Sequence, residues 1–118
     1  MANLVKATRE GLLGQRTASG WLINNEVPFV ALPSVAALRQ RVRVTNPRNG
    51  ISITAIVLDV GPWNIDDDVY VFGNARPQAE TGIDSFGRKT NKAGIDLGEK
   101  VWSALGMIGN DNIIWEFI

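Results

Sequence analysis

Arg41-Val42-Arg43-Val44-Thr45 alternates polar and apolar residues at strand period, and Asn46-Pro47-Arg48-Asn49-Gly50 follows with turn chemistry. Ile51 to Asp59 (ISITAIVLD) returns as a second strand. Its alternation gives way to an unbroken apolar run over Ala55 to Leu58, the mark of a strand buried on both faces, and Gly61-Pro62 stops it. Near the carboxyl end, Asp96 and Glu99 have the spacing of a helix-capping box. Leu97, Val101, Trp102 and Leu105 supply an apolar helical face, and Gly106 ends it. Ile113 to Ile118 (IIWEFI) reads as a closing strand with Trp115 and Phe117 on one side. Pro33 to Leu38 reads as a short helical turn, and Val69 to Phe72 as a short strand. Helix followed by strand thus occurs twice, at 33–46 and 96–118, a pattern that two similar halves of one barrel would give. Many short strands, two small helices and long connections predict a mainly β protein, a compact barrel forming one domain over residues 1–118.

Composition narrows the chemistry more than the fold. The chain has 118 residues, of which 45% are hydrophobic and 20% charged, so disorder and collagen-like repetition are excluded. Twelve acidic and twelve basic residues balance, which argues against a nucleic-acid partner, since phosphate binding needs a cationic surplus. Cysteine and histidine are both absent. No thiolate nucleophile, serine triad or ordinary zinc site can be built, and no cofactor or metal is expected. Any catalysis must rest on carboxylates, Lys, Tyr70, hydroxyls and backbone amides. No run approaches the ~20 apolar residues of a membrane span, so no membrane partner is expected. Met1 to Gly14 lacks the apolar core of an export signal, so synthesis in the cytoplasm is expected.

Three stretches draw attention and two are set aside. Gly82 to Thr90 nearly spells a phosphate-binding loop, but Arg88 stands where Lys is needed and no helix pattern follows. Asp66-Asp67-Asp68 lacks the alternating spacing of calcium ligands and reads as a solvated loop. The surrounding 63–93 stretch is long for a connection in a small domain, and such insertions are often functional. Asp59 is different: it closes an apolar strand directly before Gly61-Pro62-Trp63. Desolvation there would raise its pKa toward use as a proton donor, while the plainer alternative is an acceptor for the turn that follows. Asp96, as a helix cap, would be held ionised by the helix dipole and would suit an orienting anion or base. Trp21 and Trp63 could stack on a sugar ring or belong to the core, whereas Trp102 and Trp115 sit on amphipathic faces and read as core.

These segments together resemble a known family. Thr17-Ala18-Ser19-Gly20, Leu32-Pro33, Val42-Arg43-Val44-Thr45-Asn46 with Asn49-Gly50, Asp59-Val60-Gly61-Pro62-Trp63 and Ile95-Asp96-Leu97-Gly98 with Leu105-Gly106-Met107 occur in the order found in rare lipoprotein A-like domains. The resemblance implies a six-stranded double-psi β-barrel, related to expansins, barwin-like proteins, family 45 endoglucanases and the lytic transglycosylase A group. It implies action on peptidoglycan or a related β-1,4-linked glycan, as a lytic transglycosylase or muramidase-like glycosidase cleaving between N-acetylmuramic acid and N-acetylglucosamine. The alternatives are a non-catalytic wall-binding module or a phage structural protein with the same barrel.

Asp59 falls on the family's catalytic Asp. Asp96 falls on the Asp that resembles the proton donor of expansin-like relatives, so the two comparisons differ on which is the acid. Thr17, Ser19, Trp21, Glu26, Trp63 and Asn91 are the candidate substrate contacts. Trp21 stands where the family carries Glu, with Glu26 as its candidate replacement; Phe29 stands near the family's His, and Val60 replaces Arg. A wall-active protein without an export signal fits a phage lysin or a virion-associated module.

Overall fold

The computed structural model describes residues 2–11, 14–24 and 26–118. Six strands, β1 (Asn3–Glu10), β2 (Phe29–Leu32), β3 (Arg41–Thr45), β4 (Ser52–Val60), β5 (Ile95–Gly98) and β6 (Asp111–Phe117), close into a barrel in the order β1-β5-β2-β4-β3-β6. β1 runs parallel to β5 and β2 parallel to β4, and the other neighbours are antiparallel. Exchanging β1 with β4, β2 with β5 and β3 with β6 returns the same ring with the same pair directions. The barrel is therefore made of two interlocked halves related by an approximate two-fold, which is the double-psi arrangement. Closure leaves no open sheet edge.

The expected hairpin is β3 and β4, paired from Thr45–Ser52 to Arg41–Ile56. Val42 and Val44 point inward while Arg41 and Arg43 are exposed, as their alternation requires. The barrel interior is filled by Val5, Ala7, Val30, Leu32, Val57, Ile95, Leu97, Ile113 and Trp115, all essentially inaccessible to solvent. β2 is buried along its whole length, because its outer face is covered as well. Trp102 and Trp115 are core residues, as expected.

Three elements differ from the sequence expectation. Asp96 is in a strand and caps no helix: Ile95–Gly98 pairs with both β1 and β2, and helix α2 begins only at Glu99 and runs to Ala104. Glu99, the presumed partner in a capping box, pairs with Arg9. Two flanking strands outweighed the local capping signal, a usual victory of tertiary context over propensity. The second difference is α1 (Asp68–Val71), a helical turn where a strand was expected. Its adjacent residues Tyr70 and Val71 are both buried, which a helical turn permits and an alternating strand does not. The Tyr70 hydroxyl donates to Gly94 O and accepts from Trp115 Nε1, locking this segment to the barrel core. Third, Asp66-Asp67-Asp68 is more than a solvated loop. Asp67 is buried and accepts the Gln78 N–H, and Asp68 accepts the Ser34 hydroxyl. The 63–93 stretch is thus folded around its own polar ties, with a further 3-10 turn at Gln78–Thr81.

Candidate functional site

The carboxyls meet on the outer wall of the barrel. Thr8 pairs with Asp96, Asp96 with Ala31, and Ala31 with Asp59, so these four form one row across β1, β5, β2 and β4. Residues in a cross-strand row project from the same face. Val5, Ala7, Ile95, Leu97 and Val30 take the inner positions, which leaves this row facing outward. Asp59 reaches it through a bulge. The β2–β4 register shifts between Val30–Val57 and Ala31–Asp59, making Leu58 the extra residue. Without it Asp59 would keep the parity of Ala55 and Val57 and point into the apolar interior. Bulges that re-aim a side chain in this way are common beside functional sites.

The Thr17–Gly20 motif folds over Asp59. Gly14 N–H donates to Ile23 O, Ile23 N–H to Gln15 O and Thr17 N–H to Trp21 O, so the 14–23 excursion returns on itself. At its tip Ala18 N–H donates to Asp59 Oδ1 at 2.8 Å, and Val60 N–H donates to the same oxygen at 2.9 Å. Asp59 thus accepts from its own strand and from the Thr17–Gly20 segment, and not from the Gly61-Pro62 turn. Thr17 is buried and its hydroxyl bonds that of Ser19 at 2.8 Å, while Arg39 donates to Ser19 O.

On the other flank, Gly61 has φ 141°, a conformation open to glycine and strained for other residues, and it brings the chain against the Asp96 carboxylate. Trp63 follows with φ 71°, in the left-handed region. Its indole N–H donates to Asn91 Oδ1 at 2.9 Å, and Arg88 donates to its carbonyl. Two candidate contacts, Trp63 and Asn91, are thereby joined in one half-exposed edge. Trp21 is half-buried and packs edge-on against Phe29, with ring centroids 5.1 Å apart. Glu26 is not drawn in. It is exposed, its N–H is held by Asn24 Oδ1, and no hydrogen bond or ion pair among the described residues links it to the cluster.

The electrostatics differ from the sequence expectation. Asp96, expected to be held ionised, has its pKa pushed up to about 6. Burial is the main cause, the Thr8 hydroxyl opposes it by hydrogen-bonding Oδ1, and the neighbouring Asp59 charge adds to it. Since Asp96 caps no helix, no dipole holds it ionised.

A third carboxyl, Glu10, completes the cluster. It ends β1 on the same face as Lys6 and Thr8, and is only 9% exposed. Its pKa is pushed up to about 9 by burial first, then by the neighbouring Asp59 and Asp96 acids. The sequence held a signal for it, since Val5-Lys6-Ala7-Thr8 alternates and the period carries Glu10 to the polar face. Exposed Arg9, where an apolar residue was due, interrupts that pattern.

Among the described residues, no group of three or more Asp and Glu is placed to hold a metal ion. A concavity of about 370 Å³ is lined by Asn46, Arg48, Met107 and Asp111, at the far end of β4. The carboxyl row lies on the outer wall beneath the 14–23 excursion and beside the Gly61–Trp63 turn, with Asp59 and Asp96 only partly exposed.

No curated protein matches the chain. Among solved structures it is similar to the Streptomyces papain inhibitor, with a TM-score of 0.60 and 18% identity over the whole chain and 94% of the inhibitor. It is also similar to the expansin of Clavibacter michiganensis, at TM-score 0.59 and 20% identity without ligand. A point mutant of that expansin in complex with cellohexaose gives TM-score 0.57 and 18% identity. The whole chain is covered in each expansin match but spans only 50% of the expansin. These likenesses place the fold among double-psi β-barrels. Over residues 1–115 the chain matches the family described as "Domain of unknown function (DUF8814)", and it belongs to that family.

Proposed function

We propose that this chain is a cell-wall barrel of the rare lipoprotein A-like kind. It binds a β-1,4-linked glycan along the outer wall of β1, β5, β2 and β4 and cleaves peptidoglycan between N-acetylmuramic acid and N-acetylglucosamine. One observation carries the reading: Asp59 and Asp96 share a row on the outer wall of the barrel, and Asp96 holds its proton to about pH 6. Asp96 is thus the proton donor in this reading, in place of Asp59, and Asp59 is the anion anchored by Ala18 and Val60.

The protonated Asp96 carboxyl gives its proton to the glycosidic oxygen as the C1–O bond breaks, and positive charge develops at C1 beside Asp59. The muramyl 6-hydroxyl oxygen then bonds to C1 and returns its proton to Asp96, closing a 1,6-anhydro ring with no net consumption of protons or water. Trp63, held by Asn91, offers a ring face to a sugar, and Thr17 and Ser19 stiffen the turn over Asp59. A binding-only role is the second reading. It is favoured by the same barrel in an expansin, a point mutant of which is described in complex with cellohexaose.

Mass spectrometry of sacculi digested by the full chain tests the proposal. Release of 1,6-anhydromuropeptides by the wild type, lost in Asp96→Asn, is the expected result. Sacculi that bind the protein but keep their chain length select the binding role. No retention on sacculi, chitin or cellohexaose overturns both.

A further inference from the structure

Glu10 takes no part in those steps, yet it is the most enclosed carboxyl of the cluster. Its Oε2 is buried and has no hydrogen-bond partner among the described residues. The titratable groups facing it are Asp59 from β4 and Asp96 from β5. The Thr8 hydroxyl on its own strand is spent on Asp96, and the Arg9 guanidinium is turned to Glu99 of α2.

An ionised carboxylate in that position would leave one buried oxygen bare and would face two further acids, with no ion pair among the described residues in return. Buried polar atoms without partners are costly, and isolated buried charges far more so. A protonated Glu10 can instead donate to Asp59. Glu10 and Asp59 stand near the carboxyl ends of β1 and β4, the two strands that the approximate two-fold exchanges.

We propose that Glu10 is the positioning residue of this site, carrying a proton that it donates as a hydrogen bond to Asp59, so that Asp59 is a fixed anion and Asp96 is left as the carboxyl that exchanges its proton with the glycan. The catalytic part of this inference rests on the proposed function; the protonation of Glu10 stands independently of it. Glu10 keeps its proton to about pH 9 through burial and the two neighbouring acids. The pair acts as a unit, so its titration belongs to both groups.

Two measurements on the full chain test this. In the first, ¹³C-carboxyl NMR follows Glu10, assigned by its absence in Glu10→Gln. The expected result is a signal that stays in the protonated position through pH 8 and moves to lower pH in Asp59→Asn. Titration together with exposed glutamates below pH 5, unaffected by Asp59→Asn, overturns the proposal whether or not the chain cleaves glycan. In the second, the pH dependence of muropeptide release is compared among variants. Glu10→Leu is expected to lose about tenfold at pH 7 with unchanged sacculus binding, the effect of one lost hydrogen bond to a charged group. Glu10→Gln, which keeps a donor, is expected to restore most of that rate. Equal rates for the Leu and Gln variants across the pH range overturn the positioning role. A wild type that releases nothing rejects the proposed cleavage and with it that role, leaving NMR to decide the proton.

Discussion

Asp96→Asn is expected to stabilise the protein at neutral pH, and the size of the effect follows from one carboxyl. In the unfolded chain Asp96 titrates at the ordinary aspartate value of 3.8; in the barrel its pKa is about 6. Between those values the unfolded state gives up a proton that the folded state still holds, so stability falls as pH rises. Below pH 4 both states are protonated and the penalty vanishes; above pH 6 it is complete. At about 1.4 kcal/mol for each pH unit of separation the full penalty is about 3 kcal/mol. Asparagine keeps an oxygen for the Thr8 hydroxyl and cannot ionise, so it removes the penalty and retains the contact.

Urea unfolding followed by tryptophan fluorescence at pH 3.5, 5, 6 and 8 measures this directly. The variant should exceed the wild type by about 3 kcal/mol at pH 8, equivalent to roughly 10 °C in Tm, with the gap closing toward zero at pH 3.5. Glu10 imposes a decline of its own over the same range, but it does so in both proteins and largely cancels in the difference. A variant no more stable than wild type at pH 8, or a gap that does not change with pH, would refute the argument that Asp96 is held against its solvation. A gain, in contrast, marks a position where stability is surrendered for chemistry.

Other perturbations probe the supports of the site. Thr8→Val removes the hydroxyl that favours the Asp96 anion, so the pH profile of cleavage should shift upward by about one to two pH units, read from initial rates between pH 4 and 9. Gly98→Ala places a Cβ 2.3 Å from a ring carbon of fully buried Phe29; a loss of about 3 kcal/mol is expected in urea unfolding, largely recovered by adding Phe29→Leu. Asp84 accepts the N–H groups of Phe86 and Arg88 and pairs with the Arg88 guanidinium; Asp84→Ala should expose the 82–90 loop to limited proteolysis while leaving the barrel transition almost unmoved. Trp63→Ala should weaken sacculus retention by about fivefold to tenfold or more with an unchanged far-ultraviolet spectrum, if its indole stacks on a sugar as proposed.

The parts legible in the sequence were those whose signal is local. The β3–β4 hairpin was written in the alternation of Arg41 to Thr45 and in its turn, and the core roles of Trp102 and Trp115 in their amphipathic neighbourhoods. The Thr-Ala-Ser-Gly and Asp-Val-Gly-Pro-Trp segments, quoted as separate motifs, do meet, through the Ala18 N–H on Asp59. What failed was local reading of residues governed from a distance. Asp96 and Glu99 have the spacing of a capping box, but both flanks of Ile95–Gly98 are strands, and backbone pairing on two sides outweighed a cap. Glu26 is close in sequence to the position of the family's glutamate, but its loop keeps it in solvent. Glu10 ends an alternation that Arg9 interrupts, so its period hints at the polar face but nothing local marks its burial.

By itself the amino-acid sequence determined that the protein is mainly β, which segments alternate, and that any catalysis must do without thiols and imidazoles, because alternation and absent residue types need no partner to be read. Only the tertiary structure decided that Leu58 is a bulge residue, that Asp59 therefore faces outward with Asp96, and that Glu10 joins them from the equivalent strand. Those outcomes depend on register between strands far apart in the chain, and desolvation is a property of what surrounds a residue after closure.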